Sequence, residues 1–383
     1  MAEPHISPHY RVYAGFFFYA AILGAIFPRL GDLQLQMAIS EGTLGIALMG
    51  GALGTQISLM FVGPVLERFG YRASVIVAIP VLGLAEVAAT QAPGPELFFV
   101  SLVVAGLAIG ALEIILNLEA DRTELLMGCR IMNRAHAFWS FGFFTAGIVS
   151  ALVVQFQIGP TTHLLGMTAV TSLAMVLVFR NFQPAPSRVR DEGARPRFVR
   201  PSGPILLIVV FTLSAMLLEG ASADWSVIFM RDSYDLPASV NALAFAVGAL
   251  AQALTRFFAD GLVERFGPLQ VARALIIILG GGVVLVTFSN SGYLALLGFA
   301  LMGTGTSALF PLAMSAAAQR TDRPAATNVA ALAQLSFITF LVAPPLLGFV
   351  AEHFGIRASF GICIPMVILS WFTRFCLDPK RRP

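Results

Sequence analysis

Long apolar runs alternate with short polar breaks from one end of this chain to the other. A helix that crosses a bilayer needs about 20 mainly apolar residues, and twelve runs meet that length. The pattern predicts spans at 11–29, 43–65, 73–92, 96–118, 134–157 and 162–180. It predicts six more at 204–230, 239–259, 270–288, 292–317, 326–350 and 357–376. The first run ends at Pro28-Arg29, and the fifth ends near Gly159-Pro160. Between the two sets lies the one long polar stretch, Asn181 to Ser202, which holds Arg188, Arg190, Arg195, Arg197 and Arg200 and four prolines counting Pro201. Such a composition forms a flexible basic linker rather than a packed element. The expected fold class is an all-α membrane protein with twelve transmembrane helices in two pseudo-symmetric six-helix bundles. The expected domains are an N-terminal bundle at 1–180, a cytoplasmic linker at 181–203 and a C-terminal bundle at 204–383.

Composition agrees. Of the 383 residues, 57% are hydrophobic and 12% are charged, whereas a soluble domain is about a quarter charged. The surplus apolar surface must face lipid, and no segment is left over for a separate soluble domain. Most of the thirty-two phenylalanines belong to that surface or to the core. Cys129, Cys363 and Cys376 are far apart, which argues against a disulfide framework or a zinc site. Met1 to Tyr10 lacks the short apolar core and cleavage site of a signal peptide.

Charge then orients the spans. With a cytoplasmic N-terminus, 21 of the 24 Lys and Arg fall on or near the cytoplasmic side, and only Arg29, Arg231 and Arg357 fall outside. Basic residues favour cytoplasmic loops, so both termini are expected inside, in a bacterial inner membrane. The basic residues do not bunch into a nucleic-acid patch.

A repeat relates the two sets. Leu66-Glu67-Arg68-Phe69-Gly70 follows the second span, and Val263-Glu264-Arg265-Phe266-Gly267 follows the eighth, 197 residues later. The same offset pairs Gly106 with Gly303. A looser echo, Glu352-His353-Phe354-Gly355, falls on the opposite side of the membrane, so the short motif alone does not fix sidedness.

The stretch Gly63-Pro64-Val65-Leu66-Glu67-Arg68-Phe69-Gly70-Tyr71-Arg72 resembles the loop signature of the major facilitator superfamily, G-x3-D-R-x-G-R-R. It carries Glu for Asp and Tyr for one basic residue, and the second copy, from Asp260 to Gly267, lacks the leading glycine. Gly106 to Asn117, Arg130 to Gly142, Glu219 to Ser226 and Gly303 to Pro311 look like a bacterial branch of that family with fucose-permease-like relatives. The glycine-rich Gly-Pro signature of drug antiporters is not matched by Trp139 to Val154. The resemblance implies rocker-switch transport, a cavity lined by the first, fourth, seventh and tenth spans, and a latch formed by Gly63, Glu67, Arg68, Gly70 and Arg72 with Asp260, Glu264, Arg265 and Gly267.

Ionisable groups within a bilayer cost about 2.5–3.5 kcal/mol each on insertion scales, and they usually face a cavity. The candidates are Glu86, Glu113, His136, Glu219, Asp224 and Arg256. Glu113 and Asn117 are four apart on one helical face, and a hairpin brings His136 to similar depth. That arrangement suits either a proton hand-off or a structural hydrogen bond tying the two helices, with His136 also serving Ser140. Glu219 and Asp224 point about 140° apart around their helix, so one faces the cavity while the other pairs or anchors. Glu113, His136, Glu219 and Asp224 are therefore the proton-coupling candidates. Glu86 suits a buried structural carboxyl, and Arg256 an anchor that can also pair with a carboxylate. Tyr19, Asn117, Trp139, Asn241, Thr304 and Asn328 are the substrate-binding candidates, although small and hydroxyl residues also serve close helix packing.

No Walker motif, metal-ligand spacing or catalytic cluster occurs. The expectation is a monomeric secondary transporter, not an enzyme, that uses no metal or cofactor and moves a small organic solute with protons. A sugar or related polar metabolite is the first substrate expectation, by family analogy. The alternatives are an exporter of hydrophobic compounds, drugs or lipids, and a membrane receptor on a transporter fold.

Overall fold

The computed structural model describes residues 7–129, 131–185 and 200–378, and every regular element among them is helical. Arg188, Arg190, Arg195 and Arg197 of the linker, together with Arg130 and Lys380, lie outside the described residues. The first half comprises α1 (Pro8–Leu23), a 3-10 turn (Phe27–Arg29), α2 (Leu30–Met37), α3 (Glu41–Thr90), α4 (Pro95–Met127), α5 (Met132–Gln155) and α6 (Pro160–Phe179). The second half comprises α7 (Gly203–Ser233), α8 (Ala238–Phe266), α9 (Pro268–Phe288), α10 (Gly292–Thr306), α11 (Leu309–Ala318), α12 (Ala325–Phe354), α13 (Ile356–Gly361), α14 (Ile364–Thr373) and a final 3-10 turn (Arg374–Leu377).

Eleven helical segments among the described residues are long and apolar enough to cross a membrane. One of them, α3, has 50 residues, about 75 Å of helix against a hydrocarbon core of about 30 Å. It is two spans joined at Gly70, where φ is 73° and ψ is 163°. The count is therefore twelve. Gly267 (φ 79°, ψ 157°) and Gly355 (φ 87°, ψ 154°) end α8 and α12 in the same way. This backbone region is essentially restricted to glycine. All three copies of the Phe-Gly motif thus encode one local device, a helix stopped and restarted within a residue, whichever side of the membrane they lie on.

Two predicted spans are not single helices. The first run continues past Arg29, because α2 resumes through the polar residues Asp32, Gln34 and Gln36 that end the hydropathy signal. The tenth breaks at Ser307-Ala308, between α10 and α11.

The helices group into two compact units, Met1–Ala38 with Gly50–Gly193, and Ile39–Met49 with Ala194–Pro383. In the first unit α1 packs against α4, α5 and α6, around a core that includes Phe16, Tyr19, Leu112 and Phe179. In the second, α7 packs against α8, α10, α11, α12 and α14. Segment 39–49 belongs to this second unit, where Glu352 Oε2 accepts hydrogen bonds from Ser40 Oγ at 2.9 Å and Gly42 N at 3.0 Å.

The repeat is visible in packing. A methyl group added at Gly106 would collide with the carbonyl of Gly51, and one added at Gly303 would collide with the carbonyl of Gly248. Gly51 and Gly248 are themselves 197 residues apart, so both units contain the same glycine-on-glycine helix crossing. In lipid such crossings supply helix association through close van der Waals contact.

Candidate functional site

Each unit places a carboxylate of a spanning helix among polar partners. In the first unit Glu113 of α4 is half-buried. Asn117, one turn on, donates through Nδ2 to Glu113 Oε1 at 3.1 Å and to the Glu113 carbonyl at 2.8 Å. Tyr19 of α1, 1% exposed, donates its hydroxyl to Glu113 Oε2 at a long 3.5 Å. His136 Nε2 lies 3.2 Å from Asn117 Oδ1. Because the amide oxygen can only accept, this contact requires the Nε2–H form of the ring. Asn117 therefore stands between imidazole and carboxylate, and the direct hand-off expected from the hairpin becomes an amide bridge.

Local sequence explains the placement of His136. Glu124 Oε1 accepts the amide hydrogens of Ile131 at 2.6 Å and Met132 at 2.8 Å, capping the start of α5. His136 follows one turn later, edge-on to Phe16 with ring centroids 5.1 Å apart. Ser140 donates to the backbone carbonyl of His136 at 3.3 Å, not to its ring.

In the second unit Glu219 of α7 meets two donors from α8. Gln252 Nε2 lies 2.9 Å and Arg256 Nη2 3.1 Å from Glu219 Oε1. The Arg256–Glu219 side chains are 15% and 22% exposed, so solvent or a solute can reach them. Arg256 Nε also donates to the Ser307 carbonyl at 2.9 Å, at the break between α10 and α11. A discontinuous spanning helix frees backbone groups that need partners, and Arg256 satisfies one of them.

The remaining candidates separate. Asp224 is half-buried on α7 and makes no hydrogen bond or ion pair among the described residues. Trp139 stacks on Phe143 with centroids 4.1 Å apart. Asn241 donates to the Leu236 carbonyl at 3.3 Å, a helix-start contact. The Thr304 carbonyl accepts Ser307 Oγ at 2.6 Å beside the helix break. Asn328 donates to Asp322 Oδ1 at 3.1 Å, so it belongs to the turn before α12 and not to the Glu219 group. Glu86 is 1% exposed, and its Oε2 has no hydrogen-bond partner among the described residues.

Glu67, Arg68 and Arg72 of the loop signature are exposed, as are Asp260, Glu264 and Arg265. Arg68 packs over Phe69 at 5.5 Å and Arg265 over Phe266 at 5.1 Å. Among the described residues Glu67, Arg68, Glu264 and Arg265 form no ion pair.

Sequence reasoning missed a buried pair in the first unit. Arg29 and His163 are 3% and 4% exposed. Arg29 Nη2 donates to the Ile158 carbonyl at 2.8 Å, and its Nε lies 3.0 Å from Asp32 Oδ2. The only available signal was Arg29 at the end of an apolar run, which looks like an ordinary boundary.

A family model settles what these helices belong to, matching residues 12–337 and 207–383 under the description Major Facilitator Superfamily. The chain belongs to the major facilitator superfamily. It is accordingly a multi-pass membrane transporter and not an enzyme. It is 25% identical over 369 residues to an uncharacterized MFS-type transporter of Yersinia pestis, covering 96% of this chain and 95% of that one. It is 29% identical to an uncharacterized transporter of Sinorhizobium fredii, covering 93% and 94%. Solved structures share the fold at low identity. The nucleoside transporter NupG aligns with TM-score 0.76 at 13% identity, covering 97% of this chain and 100% of that one. A D-xylose-proton symporter aligns with TM-score 0.74 at 13% identity, covering 98% of each. The Escherichia coli fucose:proton symporter aligns with TM-score 0.60 at 16% identity, covering 97% and 99%.

Proposed function

We propose that this transporter couples the movement of a small polar organic solute to protons by alternating access. The observation that carries the proposal is the carboxylate of a spanning helix held by polar partners in each unit, Glu113 with Tyr19 and Asn117, and Glu219 with Gln252 and Arg256. A facilitator of a neutral solute needs no such group, and intramembrane carboxylates are costly to keep. Glu113 is the proton-exchanging group in this reading, with Asn117 and His136 holding its orientation, and Tyr19 and Trp139 flanking the solute. Glu219 is the second coupling group, and Asp224 is a candidate third. Titles of fold neighbours that name proton symport of D-xylose and fucose support a polar metabolite as cargo.

The domains of this cycle are 1–180 and 204–383, joined by the linker at 181–203. The loop-signature residues act as the inner latch, and Asn241, Thr304 and Asn328 remain solute-binding candidates. The charge asymmetry supports cytoplasmic termini in a bacterial inner membrane, and the protein works as a monomer. The test is reconstitution into vesicles carrying an internal pH dye. Adding solute should change the lumen pH, and Glu113→Gln should abolish that change. Unaltered solute-driven proton flux in both Glu113→Gln and Glu219→Gln would remove the coupling assignment.

A further inference from the structure

Arg256 sits where a mobile negative charge is needed. In the second unit it is the cation that faces Glu219, at 3.1 Å. Of the helices packed on α7, α10, α11 and α14 carry no charged side chain. On α12 the ionisable groups are Glu352 and His353, in its last turns, and α13 carries Arg357. Arg374, in the final 3-10 turn, packs over Trp371. On α7 itself Asp224 points away from Glu219, and Arg231 pairs with Asp232 at 2.6 Å. Beyond Arg256, α8 carries only the exposed Asp260, Glu264 and Arg265 near its end.

Charge balance then constrains the cargo. With Glu219 ionised, the pair sums to zero. A proton arriving on a Glu219 carboxylate oxygen leaves the guanidinium without its counter-charge inside the bilayer. A neutral solute cannot restore the balance, whereas a carboxylate can, because arginine presents a planar fork that matches it. A second anchor adjoins it. Arg256 Nε holds the Ser307 carbonyl, and two residues on α11 begins, a 10-residue helix whose first amide hydrogens lack intrahelical acceptors and favour an anion.

We propose that the transported solute bears a carboxylate, which takes over Arg256 when a proton neutralises Glu219. The inference rests on the transport reading above and narrows its polar metabolite to a small organic acid. The proton goes onto Glu219, no covalent bond of the solute changes, and the loaded site is neutral with one proton per carboxylate. Loaded and empty sites then carry the same charge, which lets both cross through the cycle.

The test uses the purified full chain and equilibrium binding by thermal shift. Acetate, lactate and gluconate are compared with acetamide, propane-1,2-diol and sorbitol at constant ionic strength. Glu219→Gln frees Arg256 without a proton, so the carboxylates should stabilise this variant at neutral pH and the neutral partners should not. Adding Arg256→Gln should weaken that response roughly thirtyfold or more. In the unaltered protein the same carboxylates should bind more tightly as pH falls, about tenfold per unit while binding takes up one proton. This measurement also serves if Glu219→Gln does not fold. The inference is overturned if the neutral partners bind as well, if the response survives loss of Arg256, or if carboxylates bind neither the variant nor the acidified protein. Loss of solute-driven proton flux with carboxylate binding intact would strike only the transport reading.

Discussion

Glu113 and Glu219 are both half-buried carboxylates of spanning helices, yet their surroundings differ in kind. The partners of Glu113 are a phenol and an amide, with an imidazole one step further out. The partners of Glu219 are an amide and a guanidinium. A carboxylate among neutral donors can gain or lose a proton without stranding another charge. A carboxylate paired with arginine cannot, since protonation leaves the cation exposed to a low dielectric. The first arrangement suits a proton carrier, and the second suits a charge exchanger.

The sharpest way to break this contrast is Arg256→Gln. It leaves Glu219 without its cation and should cost about 3 kcal/mol, the low end for breaking a buried pair because this one is partly exposed. A fall in melting temperature should show it, and the Arg256→Gln/Glu219→Gln double variant should recover most of the loss. If the double variant melts as low as the single one, Glu219 and Arg256 are not paired in the working protein.

Glu113→Gln should behave oppositely. Glutamine keeps the acceptor for Tyr19 and Asn117, so stability should change by less than about 1 kcal/mol, while proton-driven uptake is lost. Asn117→Ala removes the bridge and should cost about 1–2 kcal/mol. It should also broaden the pH profile of uptake by releasing His136, whereas a merely structural Asn117 would leave that profile unmoved.

The smallest effect belongs to an ion pair outside the spans. Asp322 accepts Arg320 Nε at 3.0 Å, and its carboxyl is held below the usual range, first by that hydrogen bond. A depressed folded value contributes stability above the unfolded carboxylate value of about 3.9, and this is lost as pH falls through the folded value. Melting temperature should therefore be insensitive to Asp322→Asn by more than about 1 kcal/mol at any pH, and the small difference should vanish below about pH 3.

How much was legible follows from the range over which each signal acts. The twelve spans were legible because lipid selects each one for its own length and apolarity. The helix-stop glycines were legible because Glu67 to Gly70 and Glu264 to Gly267 repeat a local backbone device. The glycine crossing was half legible: the 197-residue offset marked Gly106 and Gly303, but their partners Gly51 and Gly248 emerged only from packing. Asn328 was misgrouped because being polar on a span does not reveal which way a side chain points. The continuation through α2 was missed because Asp32 and Gln34 lower local hydropathy while the backbone stays helical.

By itself, then, the sequence determined the membrane class, the number of spans, the repeat and the list of scarce ionisable residues. Each of these depends on a residue's own transfer energy or backbone freedom. Only the tertiary structure decided that Glu113 goes with Tyr19 of α1 and Glu219 with Arg256 of α8. Those pairings depend on helix rotation and depth, which side chains 37 and 94 residues apart in the chain do not encode locally.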